Sequence, residues 1–455
     1  MSDTRQTPRG IAVPGTRLSR LSRLGGMALG VAGNVAFHGG REWLSGSSPR
    51  VDRLVLTPAN LGRITRELSR MRGAAMKMGQ LLSMEGDDFL PPEMAEILAR
   101  LRNDADFMPP RQLKTVLIRH WGQDFMKRFD RFDVRPIAAA SIGQVHRART
   151  RDGHDLAIKV QYPGVRRSID SDVANVALLL RMSRLLPREL DIEPLLGEAR
   201  RQLHEEADYA REGLMMARFG ELLSDDPDLL VPELHNDLTT DSILAMSYMP
   251  GRSVDQLSSA PQDIRDHVVS RLILLMMQEI FEYGLMQTDP NFANYAWDAD
   301  SGQIVLMDFG ASRSIPAQLT GQYRGLFRAG LDGDRDAVLS CLETIGFLAT
   351  DTRPHHAEAI WNMFDMAMAP LRSGGVFDFG QSDLIGRLRQ AGMDFAAQGD
   401  YWVIPPADAL FLQRKVGGMY LLATRLRARV DLDRVLAPVL RAGTFATECR
   451  DGDPV

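Results

Sequence analysis

Two carboxylates and an amide in the middle of the chain have the types and spacing that transfer of a phosphoryl group requires. Asp289 and Asn294 lie five residues apart, and Asp308 follows the apolar run at residues 304–307. This chemistry needs one carboxylate beside the attacking group, and an amide oxygen with a second carboxylate as ligands of Mg²⁺. The sequence therefore predicts that Asp289 acts on the acceptor and that Asn294 and Asp308 bind the metal.

The elements that would position these residues follow the order found in protein kinases. Residues 304–307 read as a strand that delivers Asp308, the first residue of an Asp-Phe-Gly sequence, and residues 264–286 read as the helix before Asp289. Upstream, an apolar strand ends at Lys159, where a kinase carries its phosphate-binding lysine. This order of elements indicates a kinase-like fold.

A loop rich in small residues precedes Lys159, where a kinase has its glycine-rich phosphate loop. Ala138, Ala140, Gly143 and Val145 occupy the four fixed places of the pattern Gly-x-Gly-x-x-Gly-x-Val. A Cβ at each of the first two places narrows the backbone choices and keeps the loop further from the phosphates. We expect altered nucleotide geometry with binding retained; a tight hairpin without a ligand is the alternative.

The lysine needs a carboxylate partner on a nearby helix, and the sequence offers several. The helical pattern at residues 194–223 carries Glu206, Asp208 and Glu212, and Asp208 lies one turn before Glu212 on the same face. Periodicity does not select Glu212 over its neighbours. A solvated acidic face is the alternative interpretation.

The strand-like run at residues 242–248 stands where the hinge between kinase lobes would fall, and we expect the backbone at Met246 and Tyr248 to bind adenine. After Gly310 the kinase pattern weakens, because no Ala-Pro-Glu sequence follows and helical sequence begins almost at once. A second Asp-Phe-Gly sequence, at Asp378, lacks a predicted preceding strand and an asparagine fourteen residues upstream. We assign it no catalytic role.

The N-terminal part of the chain offers weaker signals. Residues 57–83 have a helical pattern on which Lys77 and Gln80 share a face, although a solvated lysine is the alternative. Residues 1–50 carry seven arginines against two acidic residues, a net charge of +5, and contain a short Gly-rich apolar segment at 24–37. This basic arm fits a transit peptide, a membrane-surface helix or a flexible tail.

Composition is that of an ordinary folded protein. Of the 455 residues, 44% are hydrophobic and 25% are charged, and the formal net charge of −5 means that charge alone does not make the chain a polyanion binder. Cys341 and Cys449 are the only cysteines, which excludes a disulfide framework and indicates a reducing compartment. No apolar run reaches the length of a transmembrane helix.

These patterns divide the chain into four predicted parts. They are a basic arm with the apolar segment (1–50), a helical extension (51–130), a kinase-like N-lobe with a helical insert (131–248) and a helical C-lobe (249–455). The predicted fold is therefore mixed α/β (α+β), bilobal and protein-kinase-like.

The motif set resembles that of the UbiB-type (AarF-domain) atypical kinases, especially the branch with the mitochondrial coenzyme Q proteins. The shared motifs are Lys77-Met-Gly-Gln80, Ala138-Ala139-Ala140-Ser141, Glu206-Ala-Asp208 and Gln287-Thr-Asp-Pro-Asn291. The similarity covers most of the chain, and the set of motifs is highly specific.

The resemblance implies roles at the matching positions. It assigns nucleotide, catalytic and metal-binding roles to Lys159, Glu212, Asp289, Asn294 and Asp308. It also implies that the helix with Lys77 and Gln80 folds over the active site, with Lys77 near Glu206 and Asp208. That helix would occupy the space that a protein substrate needs.

The resemblance further implies binding of ATP or ADP with Mg²⁺, ATPase activity or unorthodox phosphoryl transfer, and support of ubiquinone biosynthesis at a membrane. The implied partners are membrane lipids or ubiquinone precursors and other ubiquinone-biosynthesis enzymes, with no nucleic acid; a homodimer stays open. A true kinase of a small molecule, lipid or protein is one alternative, and a nucleotide-gated scaffold is another. The expected location is the bacterial cytoplasm at the inner membrane, with the matrix side of the mitochondrial inner membrane as the alternative.

Overall fold

A computed structural model of the chain describes residues 107–140, 142–183, 193–398, 401, 403 and 405–441. These residues form two units. Unit 1 comprises the described residues up to Ala217 together with Pro232–Met249, and unit 2 comprises Arg218–Val231 and the described residues from Pro250 onwards. The predicted basic arm, the apolar segment at 24–37, and the positions Lys77, Gln80 and Ser141 lie outside the described residues.

Unit 1 is organised around an antiparallel sheet. Its strands are β1 (Phe129–Phe132), β2 (Ala138–Ala139), β3 (Gly143–Thr150), β4 (Asp155–Gln161) and β6 (Ile243–Ser247). They pair in the order β1-β3-β4-β6, and β2 pairs with β3. The central strand β4 is buried at every residue after Asp155, so its polar side chains Lys159 and Gln161 need partners inside the unit.

Helix α1 (Pro110–Trp121) packs its apolar face into the core of unit 1. Leu117 and Trp121 belong to the same buried cluster as Ile158 of β4. The indole Nε1 of Trp121 donates to Leu238 O at 2.9 Å, which satisfies the polar atom of a buried aromatic side chain. This hydrogen bond ties the helix to the segment before β6.

Three helices follow β4 in the described residues: α2 (Val165–Ser183), α3 (Glu193–Glu206) and α4 (Tyr209–Leu222). The single helix predicted over residues 194–223 is therefore wrong, because the chain breaks at Ala207 and Asp208. Gln161 Nε2 donates to Ala207 O at 2.8 Å, and Asp208 Oδ1 accepts from Arg211 N at 3.1 Å. The break thus ends one helix and caps the next.

Unit 2 is mainly helical, with short sheets that hold its polar loops. One sheet has the order β5 (Leu229–Leu230), β10 (Gln303–Leu306), β9 (Tyr295–Asp298) and β7 (Arg252–Ser253). Two further pairs are β8 (Leu285–Gln287) with β11 (Ser312–Ser314), and β12 (Val376–Asp378) with β13 (Arg429–Asp431). The helices are α5 (Gln262–Gln278), α6 (Ala317–Asp332), α7 (Arg335–Ile345), α8 (Pro354–Ser373), α9 (Leu384–Ala396), α10 (Ala407–Leu426) and α11 (Leu432–Arg441).

The apolar stretch predicted as one helix over residues 264–286 has three parts. Helix α5 continues into a π-helical segment, Glu279–Tyr283, and Gly284 then adopts a left-handed conformation with φ of 58°. Glycine tolerates this conformation, which ends the helix and turns the chain into β8. The prediction of helix up to residue 286 is therefore wrong beyond Tyr283.

None of the helices that the structure describes combines the length and the apolar character needed to cross a bilayer.

Candidate active site

Unit 1 buries an ion pair between Lys159 of β4 and Glu212 in the first turn of α4. Lys159 Nζ lies 2.9 Å from Oε1 and 3.1 Å from Oε2 of Glu212. The two side chains are 9% and 2% exposed. Because a charge removed from water needs a partner, this geometry makes Glu212 the counter-ion of Lys159, a choice that helical periodicity left open.

The alanine-rich loop forms a hairpin on β3. Ala138 and Ala139 pair with β3 and are exposed, and Ala138 lies opposite the half-buried Val145. Ala140 N donates to Gly143 O at 2.9 Å and closes the turn. The described residues of the loop therefore carry small side chains on its exposed strand.

Gly143 is required by packing. A Cβ at this position would lie 2.5 Å from Val160 O and 2.7 Å from Tyr209 Oη. Tyr209 is fully buried, and the centroid of its ring lies 5.2 Å from Lys159 Nζ. The absence of a side chain at Gly143 thus lets β3 approach the strand and the helix that hold the Lys159–Glu212 pair.

The other acidic motif residues lie in the turn before this pair. Glu206 ends α3, and Asp208 caps α4, with its Oδ2 4.0 Å from Arg166. The implied contact with Lys77 falls outside the described residues.

The predicted adenine-binding backbone lies at the end of β6. Met246 is buried in the strand, whereas Tyr248 N donates to Asp155 O at 2.8 Å and the Tyr248 ring stacks under Arg147 at 4.1 Å. The N–H of Tyr248 is therefore engaged within unit 1. An adenine contact at Tyr248 would use its carbonyl oxygen.

The residues predicted to carry out phosphoryl transfer lie in unit 2. Two of them, Asp289 and Asn294, belong to residues 287–294, which we term the catalytic loop. Asn294 Nδ2 donates to Asp289 O at 3.2 Å, and Thr288 Oγ1 anchors the loop by donating to Ala311 O at 2.8 Å. Asn294 and Asp308 line the same small cavity. The structure thus brings the amide and the second carboxylate together beside the loop that carries Asp289.

Asp308 is held in place by the residues that follow it. Its Oδ1 accepts from Gly310 N at 2.9 Å, and the buried ring of Phe309 lies 5.3 Å from the ring of Phe219. The side chain is only partly buried, so it remains accessible to a ligand.

The second Asp-Phe-Gly sequence has the same hydrogen bond between its aspartate and glycine, but its aspartate also pairs with an arginine. Asp378 Oδ1 accepts from Gly380 N at 2.9 Å, but Asp378 Oδ2 accepts from Arg429 at 3.2 Å. Asp378 ends β12, so the prediction that no strand precedes it is wrong. This residue offers a matched control for Asp308.

The donors at Asn294 and Asp308 fit Mg²⁺. A hard cation prefers oxygen ligands, and Mg²⁺ is commonly held by one or two protein side chains with phosphates and waters as the remaining ligands. A carboxylate and an amide oxygen beside one cavity meet that requirement.

Sequence reasoning missed Arg414, which lies on α10. Its Nη2 donates to Asp289 Oδ1 at 3.0 Å, and the two side chains are 14% and 19% exposed. One turn later, a Cβ on Gly418 would overlap Pro290, so the α10 backbone packs directly on the catalytic loop. The only signal was glycine inside a helical pattern, which costs about 1 kcal/mol relative to alanine and indicates close packing where it persists.

These features define a class of protein. An antiparallel sheet with a buried Lys–Glu pair, and a helical unit with Asp, Asn and Asp in order, are the parts of a protein-kinase-like fold. Residues 100–342 match the ABC1 atypical kinase-like domain, and the chain belongs to this family of atypical kinases.

Known relatives support this assignment over most of the chain. The chain is 36% identical over 441 residues to the mitochondrial atypical kinase COQ8 of Saccharomyces cerevisiae, covering 96% of this chain and 87% of that protein. It is 38% identical over 429 residues to the mitochondrial atypical kinase COQ8B of Rattus norvegicus, covering 92% of this chain and 79% of that one. The predicted family and atypical-kinase class are confirmed.

A solved structure shares the fold. Rv3197 from Mycobacterium tuberculosis, solved as its erythromycin complex, has a TM-score of 0.59 and 21% identity, covering 85% of this chain and 96% of that one. At this identity the likeness shows the fold alone. With the family match, it confirms the predicted kinase-like fold of mixed helices and strands.

Glu212→Gln should destabilise the protein, because it removes the negative charge of a buried ion pair with Lys159. We expect the free energy of unfolding to fall by about 3–5 kcal/mol in chemical denaturation. Glu205→Gln is the control, since it removes a more exposed ion pair with Arg201 on the neighbouring helix and should cost less than about 1 kcal/mol. Equal losses in the two variants would contradict this account of the buried pair.

Gly143→Ala should disturb the hairpin of the predicted phosphate loop, because its Cβ would collide with the backbone oxygen of Val160 and the hydroxyl of the buried Tyr209. We expect nucleotide affinity, measured by titration calorimetry, to fall by about tenfold or more, the effect of about 1.4 kcal/mol. Gly197→Ala on α3 is the control, since nothing lies within 4 Å of its added Cβ and a helical Gly→Ala change stabilises by roughly 0.5–1 kcal/mol. Unchanged nucleotide affinity in Gly143→Ala would contradict this prediction, because it would show that the loop accommodates the added Cβ.

Proposed function

We propose that the chain binds MgATP or MgADP and hydrolyses ATP, or transfers its terminal phosphoryl group to a restricted acceptor, in support of ubiquinone (coenzyme Q) biosynthesis. The carrying observation is that Asn294 and Asp308 line one cavity while the Asn294 amide binds the backbone of Asp289. The similarity to atypical kinases named COQ8 supports the link to coenzyme Q.

Each unit supplies a distinct part of this chemistry. In unit 1, Lys159 held by Glu212 would bind the phosphates, together with the hairpin of Ala138, Ala139 and Ala140. In unit 2, Asn294 and Asp308 would hold Mg²⁺, which neutralises charge on the phosphates when bound. Backbone groups at Met246 and Tyr248 would bind adenine.

Asp289 would orient the attacking group. Arg414 holds its Oδ1 atom, and the bond from Asn294 fixes its backbone, so the carboxylate has a defined direction. Positioning of this kind is the main contribution that a protein makes to phosphoryl transfer. The attacking group is water in an ATPase and a hydroxyl in a kinase.

The short connection after Asp308 favours water or a small or lipid acceptor. Strand β11 ends at Ser314 and α6 begins at Ala317, so only two residues separate them. A protein kinase uses a long activation segment at this point to bind a peptide. The helix predicted over residues 57–83, with Lys77 and Gln80 near Glu206 and Asp208, would restrict the acceptor further.

We place this activity at a membrane, where ubiquinone precursors and their biosynthetic enzymes are the expected partners. The basic arm, with its apolar segment at residues 24–37, would associate peripherally with anionic lipid. The cytoplasmic face of a bacterial inner membrane is one location. The matrix side of the mitochondrial inner membrane is the other, and the names of the yeast and rat relatives agree with it.

Asp308→Asn should strongly reduce ATP turnover while the fold is kept. We expect phosphate release to fall by roughly 100-fold, because a metal ligand contributes several kcal/mol of charge stabilisation. Asp378→Asn, in the second Asp-Phe-Gly sequence, should retain wild-type turnover. Equal turnover in wild type and Asp308→Asn would refute the enzymatic proposal.

The same variants decide between the functional alternatives in a strain that lacks the protein. Loss of ubiquinone with Asp308→Asn, and its recovery with Asp378→Asn, would support an enzymatic role in that pathway. Normal ubiquinone with Asp308→Asn would favour the nucleotide-gated scaffold. Transfer of labelled phosphate from ATP to a lipid or protein would favour a true kinase over an ATPase.

A further inference from the structure

A buried group of polar residues in unit 2 holds the backbone just before Asp289. Lys415 Nζ donates to Gln287 O at 2.8 Å and to Tyr295 Oη at 3.0 Å, and it lies 2.9 Å from Glu279 Oε2. Gln287 N donates to Glu279 Oε1 at 3.3 Å. One ion pair therefore binds both the N–H and the C=O of Gln287. We term Glu279, Gln287, Tyr295 and Lys415 the loop clamp.

The charges of the loop clamp are removed from water. Lys415 and Glu279 are each 1% exposed. Burial alone would lower the pKa of Lys415, but the Glu279 carboxylate and the Tyr295 hydroxyl more than offset this effect and raise the pKa above its ordinary value. Lys415 therefore stays charged, and three oxygens lie within 3.0 Å of its Nζ, as many as an ammonium group has N–H donors.

The loop clamp joins elements that are distant in the chain. Glu279 begins the π-helical segment after α5, a rare geometry that is frequent at functional sites. Lys415 lies on α10 beside Arg414, which binds Asp289, and one turn before Gly418, whose missing side chain admits the loop. Helix α10 thus contacts the catalytic loop through Arg414, Lys415 and Gly418.

We propose that Lys415 and Glu279 are positioning residues for phosphoryl transfer, which set the orientation of Asp289 through the peptide groups of Gln287. Stability alone does not account for them, because replacing a buried ion pair by apolar side chains of similar volume is often neutral or stabilising. Positioning does, because a displacement of about 1 Å in a catalytic group costs about 100-fold in rate. This inference rests on the phosphoryl-transfer activity proposed above.

The double variant Glu279→Gln/Lys415→Met tests the loop clamp, because it removes both charges together and nearly conserves volume. We expect kcat for ATP turnover to fall by about 100-fold. The KM for ATP should stay within about twofold, because the loop clamp acts on Asp289 and not on the nucleotide. Steady-state phosphate release gives both constants, and circular dichroism should show a melting temperature close to that of wild type.

The matched control removes another buried ion pair of unit 2. Arg271→Met/Asp226→Asn removes the ion pair between α5 and the turn before β5. This variant should keep the wild-type kcat. A folded Glu279→Gln/Lys415→Met protein with wild-type kcat, or an equal loss of kcat in both double variants, would overturn the proposal. Wild-type protein that fails to turn over ATP would instead overturn the proposed function.

A milder variant tests the positioning role if the Glu279→Gln/Lys415→Met protein does not fold. Tyr295→Phe keeps the ion pair and removes only the hydroxyl that accepts from Lys415. We expect kcat to fall by about tenfold, the effect of losing one hydrogen bond to a charged group, with KM unchanged. Wild-type kcat in folded Tyr295→Phe would then reject the positioning role.

Discussion

A buried charge must have a partner, and this constraint decides how each unit presents its chemistry. In unit 1, the side chain of Lys159 on the central strand β4 pairs with Glu212, which lies 53 residues later in the chain. In unit 2, Lys415 is neutralised by Glu279 beneath the catalytic loop. Burying either lysine without a counter-charge would cost several kcal/mol. The strand or helix that carries the lysine must therefore place it beside its carboxylate.

Helix α10 gives the catalytic loop of unit 2 a rigid support. Arg414 binds the Asp289 side chain, Lys415 binds the Gln287 backbone, and Gly418 allows direct packing on the loop. In signalling kinases the segment after Asp-Phe-Gly can order or disorder and so controls activity. Here that segment is short, and the contacts come from the 20-residue helix α10, which supports the loop from outside that segment.

Residue spacing predicted the features that are set within short stretches of chain. It missed the features that are set by contacts between residues distant in sequence. The strand before Asp308 and the Asp289–Asn294 interval are local patterns, and they led to the confirmed kinase-like fold. The helix break after α3 depends on Gln161, 46 residues upstream, and periodicity therefore did not show it. Arg414 acts on Asp289 from 125 residues away, and an arginine on a helix ordinarily reads as a solvated charge.

Three places in the predicted phosphate loop are glycine in the kinase pattern, and here they hold Ala138, Ala140 and Gly143. Packing constrains these places differently. Ala138 is exposed on β2, and Ala140 N donates to Gly143 O at the hairpin on β3. Gly143 has no such freedom, because Val160 O and Tyr209 Oη occupy the space of a Cβ. Only the third glycine is therefore required by packing. Ala138 and Ala140 stand at two places where the kinase pattern has glycine, and a methyl group there would change how closely the backbone could approach a phosphate.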